Sequence, residues 1–245
     1  MLYNSGSLTD PTPRPRRFMT AAPTRTARSL PAIVWGRFKR HCVLKFIGLT
    51  LFITVFFMAY FHLLRHPAFP VTVMPTTWLD ELIPFQPWSL LFYLSLWFYV
   101  SVPAHLTCTL RQLVAFGALC FLLCLTGLLC FYFWPTAVPP ADADWASYPA
   151  FAFLQRVDAG GNACPSLHVA TAVFSGVWID RLLCHLRTHR NLRIGNALWC
   201  AAIVYSTLAT RQHVALDALA GAALGGIFAM ASRPLGPWLL AEEPR

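Results

Sequence analysis

Acidic side chains are almost missing from the first third of this chain, where Asp10 is the only one before Asp80. Charge of either sign is scarce throughout, at 12% of the 245 residues, about half the fraction a soluble domain carries. A soluble fold with a charged shell is thereby excluded. The eight cysteines have no zinc-site spacing. All but Cys164 lie in or beside apolar runs, where cysteine serves as a small hydrophobe, so no disulfide framework follows. No internal repeat is present, and Asp142 and Asp144, in an Ala/Pro loop, read as a solvated turn rather than a metal site.

What the chain does have is apolar length, with 57% hydrophobic residues. Leu44–Leu64, Trp88–Leu110 and Leu113–Trp134 each reach the ~20 residues needed to cross a hydrocarbon core of about 30 Å. Three shorter runs, richer in Ala and Gly, follow at Ser166–Cys184, Ile194–Ala209 and Val214–Ala231. The expected fold is all-α, a polytopic membrane protein with six transmembrane helices. Residues 1–40 are expected to form a disordered basic cytoplasmic tail that ends in an interfacial segment. Residues 41–235 form the membrane domain, and 236–245 a short cytoplasmic tail. The tail is rich in Pro, Thr and Arg and poor in the large apolar residues that ordering requires. Trp35 and Phe38, among Arg37, Lys39 and Arg40, read as an interfacial anchor. The basic region and the first apolar run are both too long for a cleaved signal peptide. The Arg-rich, acid-poor tail also fits a transit peptide.

The distribution of cations sets the orientation. With the amino terminus cytoplasmic and six crossings, sixteen of the nineteen Lys and Arg fall on the inner side, and Arg65, Arg156 and Arg211 on the outer. That asymmetry is a positive-inside signal. The net charge of +9 then reflects topology and an anionic inner leaflet, so no nucleic-acid partner is called for. The expected location is a bacterial cell (inner) membrane, with both termini cytoplasmic.

On this topology two histidines, His168 and His213, stand at the starts of the fourth and sixth spans, on one side and at one depth. The N–H groups and dipole of a helix start attract anions, and Arg156 and Arg211 lie close by in sequence. His213 and Asp217 are spaced i,i+4 and share a helical face, about 5–6 Å apart at Cβ. A carboxylate one turn inside an apolar helix is costly without a partner. His213 is that partner, and the carboxylate in turn holds one ring N–H and leaves the other nitrogen free to attack. Gly221 and Gly225, with Ala218 and Ala222 beside them, form a small-residue face for close helix packing. His62, His66 and His105 read as ordinary interfacial groups, and Trp178 and Trp199 as packing or lipid-facing residues. Asp180 with Arg181 is expected to end the fourth span.

These residues carry a resemblance. "PSLH" at 165–168 and "STLATRQHVALD" at 206–217 resemble the second and third signatures, P-S-G-H and S-R-x5-H-x3-D, of the phosphatidic acid phosphatase type 2 superfamily. "WPTAVPP" at 134–140 is similar to a stretch that precedes the second signature there. Leu167 replaces the signature Gly, Thr207 stands where the third signature has Arg, and the first signature, K-x6-R-P, is absent. This variant pattern resembles the branch that contains inositol phosphorylceramide and sphingomyelin synthases. The resemblance implies a lipid phosphatase or phosphotransferase acting on the non-cytoplasmic face. His213 would be the nucleophile, Asp217 its orienting partner, and His168 the acid and then the base. Ser166, Arg211 and Arg156 would bind the phosphate, with no metal and no cofactor. The implied partners are a lipid phosphate or phospholipid substrate and the surrounding lipids.

Other classes fit less well. Ser175-Gly176 lacks the preceding glycine of an intramembrane serine protease, since Val173 stands in its place. A CDP-alcohol phosphotransferase needs a carboxylate cluster, and the last span offers only Asp217. An obligate phosphotransferase of the synthase type is the nearest alternative. A channel or scaffold explains six helices but not the histidine–aspartate spacing.

Overall fold

The computed structural model describes residues 29–140, 148–151 and 160–233. The expectations for residues 1–28, for Asp142 and Asp144, for Arg156 and for 236–245 lie outside the described residues.

Helices carry most of the described chain: α1 (Leu30–Lys39), α2 (Cys42–Arg65), α3 (Trp78–Leu82), α4 (Leu90–Tyr99), α5 (Val102–Leu106), α6 (Leu110–Phe133), α7 (Leu167–His185), α8 (Arg190–Ala209) and α9 (Ala215–Ala231). Two short strands, β1 (Thr72–Val73) and β2 (Thr136–Ala137), pair in parallel. Five helical stretches are long and apolar enough to cross a membrane: Cys42–Arg65, Pro87–Leu106, Leu110–Phe133, Leu167–His185 and Arg190–Ala209. The sixth expected span, α9, has 17 residues, about 25 Å of helix. On α2, Phe46, Leu51 and Met58 are 69%, 61% and 70% exposed. An outward face that apolar calls for an apolar solvent.

The expected span Trp88–Leu110 is corrected in its interior. The chain makes a 3₁₀ turn at Pro87–Ser89, then α4, then a break at Val100–Ser101 before α5. Ser101 Oγ donates back to the Phe98 carbonyl at 2.7 Å. Pro103, which lacks an N–H, sits in the first turn of α5, where that donor is not needed. Thr109 then caps α6 in a capping box with Gln112.

Lys45, counted among the inner-side cations, is 1% exposed. Its Nζ donates to the carbonyls of Arg37, His105 and Thr107 at 2.8, 2.9 and 2.9 Å. Arg37 and Arg40 donate to the carbonyls of Leu106 and Cys108. The C-terminal end of α5 has orphaned carbonyls and a negative dipole end, and three cations satisfy it. The same bonds pin the α1–α2 elbow beneath the bundle. Trp35 and Phe38 on α1 are exposed and stacked.

α7 is the central helix, with α8, α9, α4, α5 and α6 around it. A Cβ on Gly221 would lie 2.3 Å from the Ser166 carbonyl oxygen, and one on Gly225 2.3 Å from that of Ala170. The backbones of α7 and α9 therefore approach as the small-residue face predicted. Phe116, Leu123, Phe131, Phe174 and Trp178 fill the core between α6 and α7. Asp180 does not end α7, which runs on to His185. Its carboxylate instead takes a two-pronged bond from Arg193 on α8, at 2.7 and 3.0 Å. Arg181 ties α7 to the last turn of α9 through the Ala229 carbonyl and Ser232.

Candidate active site

The polar residues converge at one end of the bundle because two connections are braced there. Thr136, from the "WPTAVPP" stretch, accepts the Cys164 N–H on its Oγ1 at 2.8 Å, and its carbonyl accepts that of Ala163 at 3.2 Å. This brace fixes the chain leading into α7. Ser166 is the N-cap of α7 and accepts the Val169 N–H at 3.3 Å. In the other connection, the Thr207 carbonyl accepts the N–H groups of both Gln212 and His213 at 3.1 Å. Arg211 in that turn has φ +57°, a left-handed conformation that side-chain-bearing residues adopt at some cost. The turn swings His213 back beneath the end of α8.

His168 and His213 meet across this end with ring centroids 5.8 Å apart. His213 Nδ1 lies 3.5 Å from Asp217 Oδ2, wider than a formed hydrogen bond. Asp217 is fully buried, and its Oδ2 also accepts the Val214 N–H at 3.1 Å. His168 Nε2, His213 Nδ1 and Asp217 Oδ1 are buried without a hydrogen-bond partner. Three such atoms in one place mark a site that expects a polar visitor.

Of the residues singled out in the sequence, the structure brings together His168, His213, Asp217 and Ser166. Arg211 donates from its guanidinium to the Asp80 carbonyl at 2.8 Å. Asp80 went unnoticed in the sequence, and it is 3% exposed. Its Oδ1 accepts the Ala215 N–H at 2.7 Å, and its Oδ2 accepts from the backbone and hydroxyl of Thr77 at 2.7 and 2.8 Å. Asp80 thus caps α9 from a different helix. The only sequence signal was that Asp80, with Glu81, ends a long acid-free stretch. Tyr93 stacks on His168 at 4.5 Å and Trp97 meets it edge-on at 5.7 Å. Neither ring was singled out in the sequence. Burial, then the neighbouring Asp217 charge, pushes the Cys164 thiol up to about 11. It stays protonated and takes no part in charge balance at neutral pH.

His168, His213 and Asn162 stand at one end of an apolar cavity of about 650 Å³ between α2, α4, α6 and α7. Among the described residues no group of three or more His, Cys, Asp or Glu is placed to hold a metal. The model of a protein family described as the PAP2 superfamily matches residues 68–231. No curated protein and no solved structure matches the chain.

Proposed function

The chain belongs to the PAP2 superfamily, and on that premise we propose that it is an integral membrane lipid phosphatase working through a phosphohistidine. The observation that carries the reading is the pair of facing imidazoles, 5.8 Å apart, with Asp217 behind one of them. Asp217 accepts the Nδ1 proton of His213 and leaves the Nε2 lone pair aimed outward. His213 Nε2 forms the bond to phosphorus while the bond to the lipid oxygen breaks. His168 Nε2 donates a proton to that leaving oxygen, so the lipid departs as an alcohol. His168, now neutral, takes a proton from water, whose oxygen attacks phosphorus and displaces His213. Inorganic phosphate leaves and both rings return to their starting state.

Asp217 stabilises the positive charge on the phosphorylated ring, and the Ser166 hydroxyl and Arg211 hold the phosphoryl oxygens as charge spreads over them. Arg156 is proposed as a further phosphate contact. An alcohol in place of water gives transfer, the reaction of the synthase branch that the "PSLH" pattern resembles. The site faces the non-cytoplasmic side, α9 is a sixth span, and both termini are cytoplasmic, on the strength of the cation asymmetry.

Incubation of the purified protein with labelled lipid phosphate tests the reading, with and without diacylglycerol, ceramide or inositol. Free phosphate without any alcohol, plus an acid-labile phosphoenzyme, is expected. Turnover only with one alcohol present would make the protein an obligate transferase. Neither product nor phosphoenzyme would remove the enzymatic reading. Single cysteines at Val71 and Thr188, in a background without other reactive thiols, should label from opposite sides of the membrane.

A further inference from the structure

We propose that the apolar cavity below the histidines is a binding site for one hydrocarbon chain of the substrate lipid, with Lys45 as a floor that sets the chain length. This rests on the reading of His168 and His213 as the phosphate end.

The cavity is continuous with the candidate site. His168 and His213 line its head, and Lys45 and Leu110 its opposite end. From Tyr60, beside the head, to Lys45 is fifteen residues of α2, or about 22 Å at 1.5 Å per residue. An extended chain of tetrahedral atoms advances roughly 1.2 Å per bond, as the 3.3–3.6 Å reach of an extended residue over three bonds implies. The cavity is therefore about 18 carbons long. Its volume gives the same answer. A methylene is close in size to a water molecule, whose share of liquid is about 30 Å³, so 650 Å³ holds roughly twenty methylenes. That is one long chain and not two. A second chain, where the lipid has one, stays in the bilayer.

The floor is firm. The Lys45 ammonium is fully occupied by three carbonyls, from Arg37, His105 and Thr107, and Lys45 lines the cavity. Beyond it lies the α1–α5 junction, hydrogen-bonded through Arg37 and Arg40. A chain near 18 carbons fills the cavity, and a longer one must fold back or withdraw its phosphate from the histidines. Two wall positions in the lower half of the cavity are glycine. A Cβ on Gly48 or Gly117 would meet nothing within 4 Å, and both line the cavity. The open space there is left by the absence of side chains.

The proposal is tested by Gly48→Leu and Gly117→Leu, singly and together, which fill the lower half of the cavity without touching the histidines. The double variant should lose about tenfold or more in kcat/KM on an 18-carbon lipid phosphate and keep that on a 10-carbon one within about twofold. Equal losses on both substrates, or no loss on either, would overturn the chain site. A second readout does not depend on turnover. An 18-carbon lipid phosphate with a photoreactive group near its methyl end, bound to the His213→Ala variant, should crosslink to the deep wall around Leu49 and Leu113. The leucine variants should abolish that crosslink. Labels confined to Tyr93 and Trp97, with bulk phospholipid crosslinking the deep wall instead, would overturn the proposal. Deep-wall crosslinking without phosphate release from any lipid would keep the chain site and remove the phosphatase reading.

Discussion

The Ser166 backbone N–H donates to the Asp217 carbonyl at 3.0 Å. This one bond joins the cap of α7 to the first turn of α9, so the helices that carry His168 and His213 are registered through their backbones. The close approach at Gly221, whose Cβ position is 2.3 Å from the Ser166 oxygen, is what lets the bond form.

Gly221→Ala should therefore push the α7 start away from α9. The expected cost is about 1–3 kcal/mol of stability from overpacking, together with a loss in kcat as the imidazoles separate. Gly226→Ala, where a Cβ meets nothing within 4 Å, should leave both quantities unchanged. Thermal unfolding and phosphate release measured on the two variants decide it. Indistinguishable behaviour would mean that the glycine contact does not register the site.

His213→Ala should reduce kcat by about 10⁴–10⁶, and Asp217→Asn by no more than that. Because the two act as one unit, the double variant should be little worse than His213→Ala alone. Rate constants and phosphoenzyme yield on the three variants check this. Losses that multiply would break the assigned roles.

Asp80→Ala removes the acceptor for Ala215 and Thr77. By analogy with lost helix caps it should cost about 1–2 kcal/mol and lower kcat, because α9 carries Asp217. Asp80→Asn keeps one carbonyl oxygen for Ala215 and should recover part of both losses. A melting temperature and kcat untouched in Asp80→Ala would show that the cap is dispensable.

Arg211→Ala and Arg211→Gly separate the guanidinium from the backbone strain. Both remove the charge, but glycine adopts φ +57° freely. The glycine variant should therefore be the more stable by about 1 kcal/mol. KM for lipid phosphate should rise about tenfold in both, in keeping with loss of a charge-assisted contact, and far less in Arg65→Ala. Matching KM values for Arg65→Ala and the Arg211 variants would take Arg211 out of the phosphate site.

The features legible in the sequence are those carried by one segment at a time. Apolar length marked the crossing helices, and the i,i+4 spacing of His213 and Asp217 already placed a carboxylate behind an imidazole. The spacing of Gly221 and Gly225 named the face on which α9 meets its neighbour. Each follows from the period of a single helix, which is local and needs no partner to be read. The tertiary structure alone decided that Asp80 caps a helix 135 positions away. It also decided that Tyr93 and Trp97 pack on His168, and that the buried Lys45 ammonium meets three backbone carbonyls. Those roles arise where orphaned backbone groups and ring faces of one element meet side chains of another. Nothing along a single helix encodes which distant segment will lie against it. The cavity is such a product too: residues of α2, α4, α6 and α7 line it together, and which helices border a common space is set by packing alone.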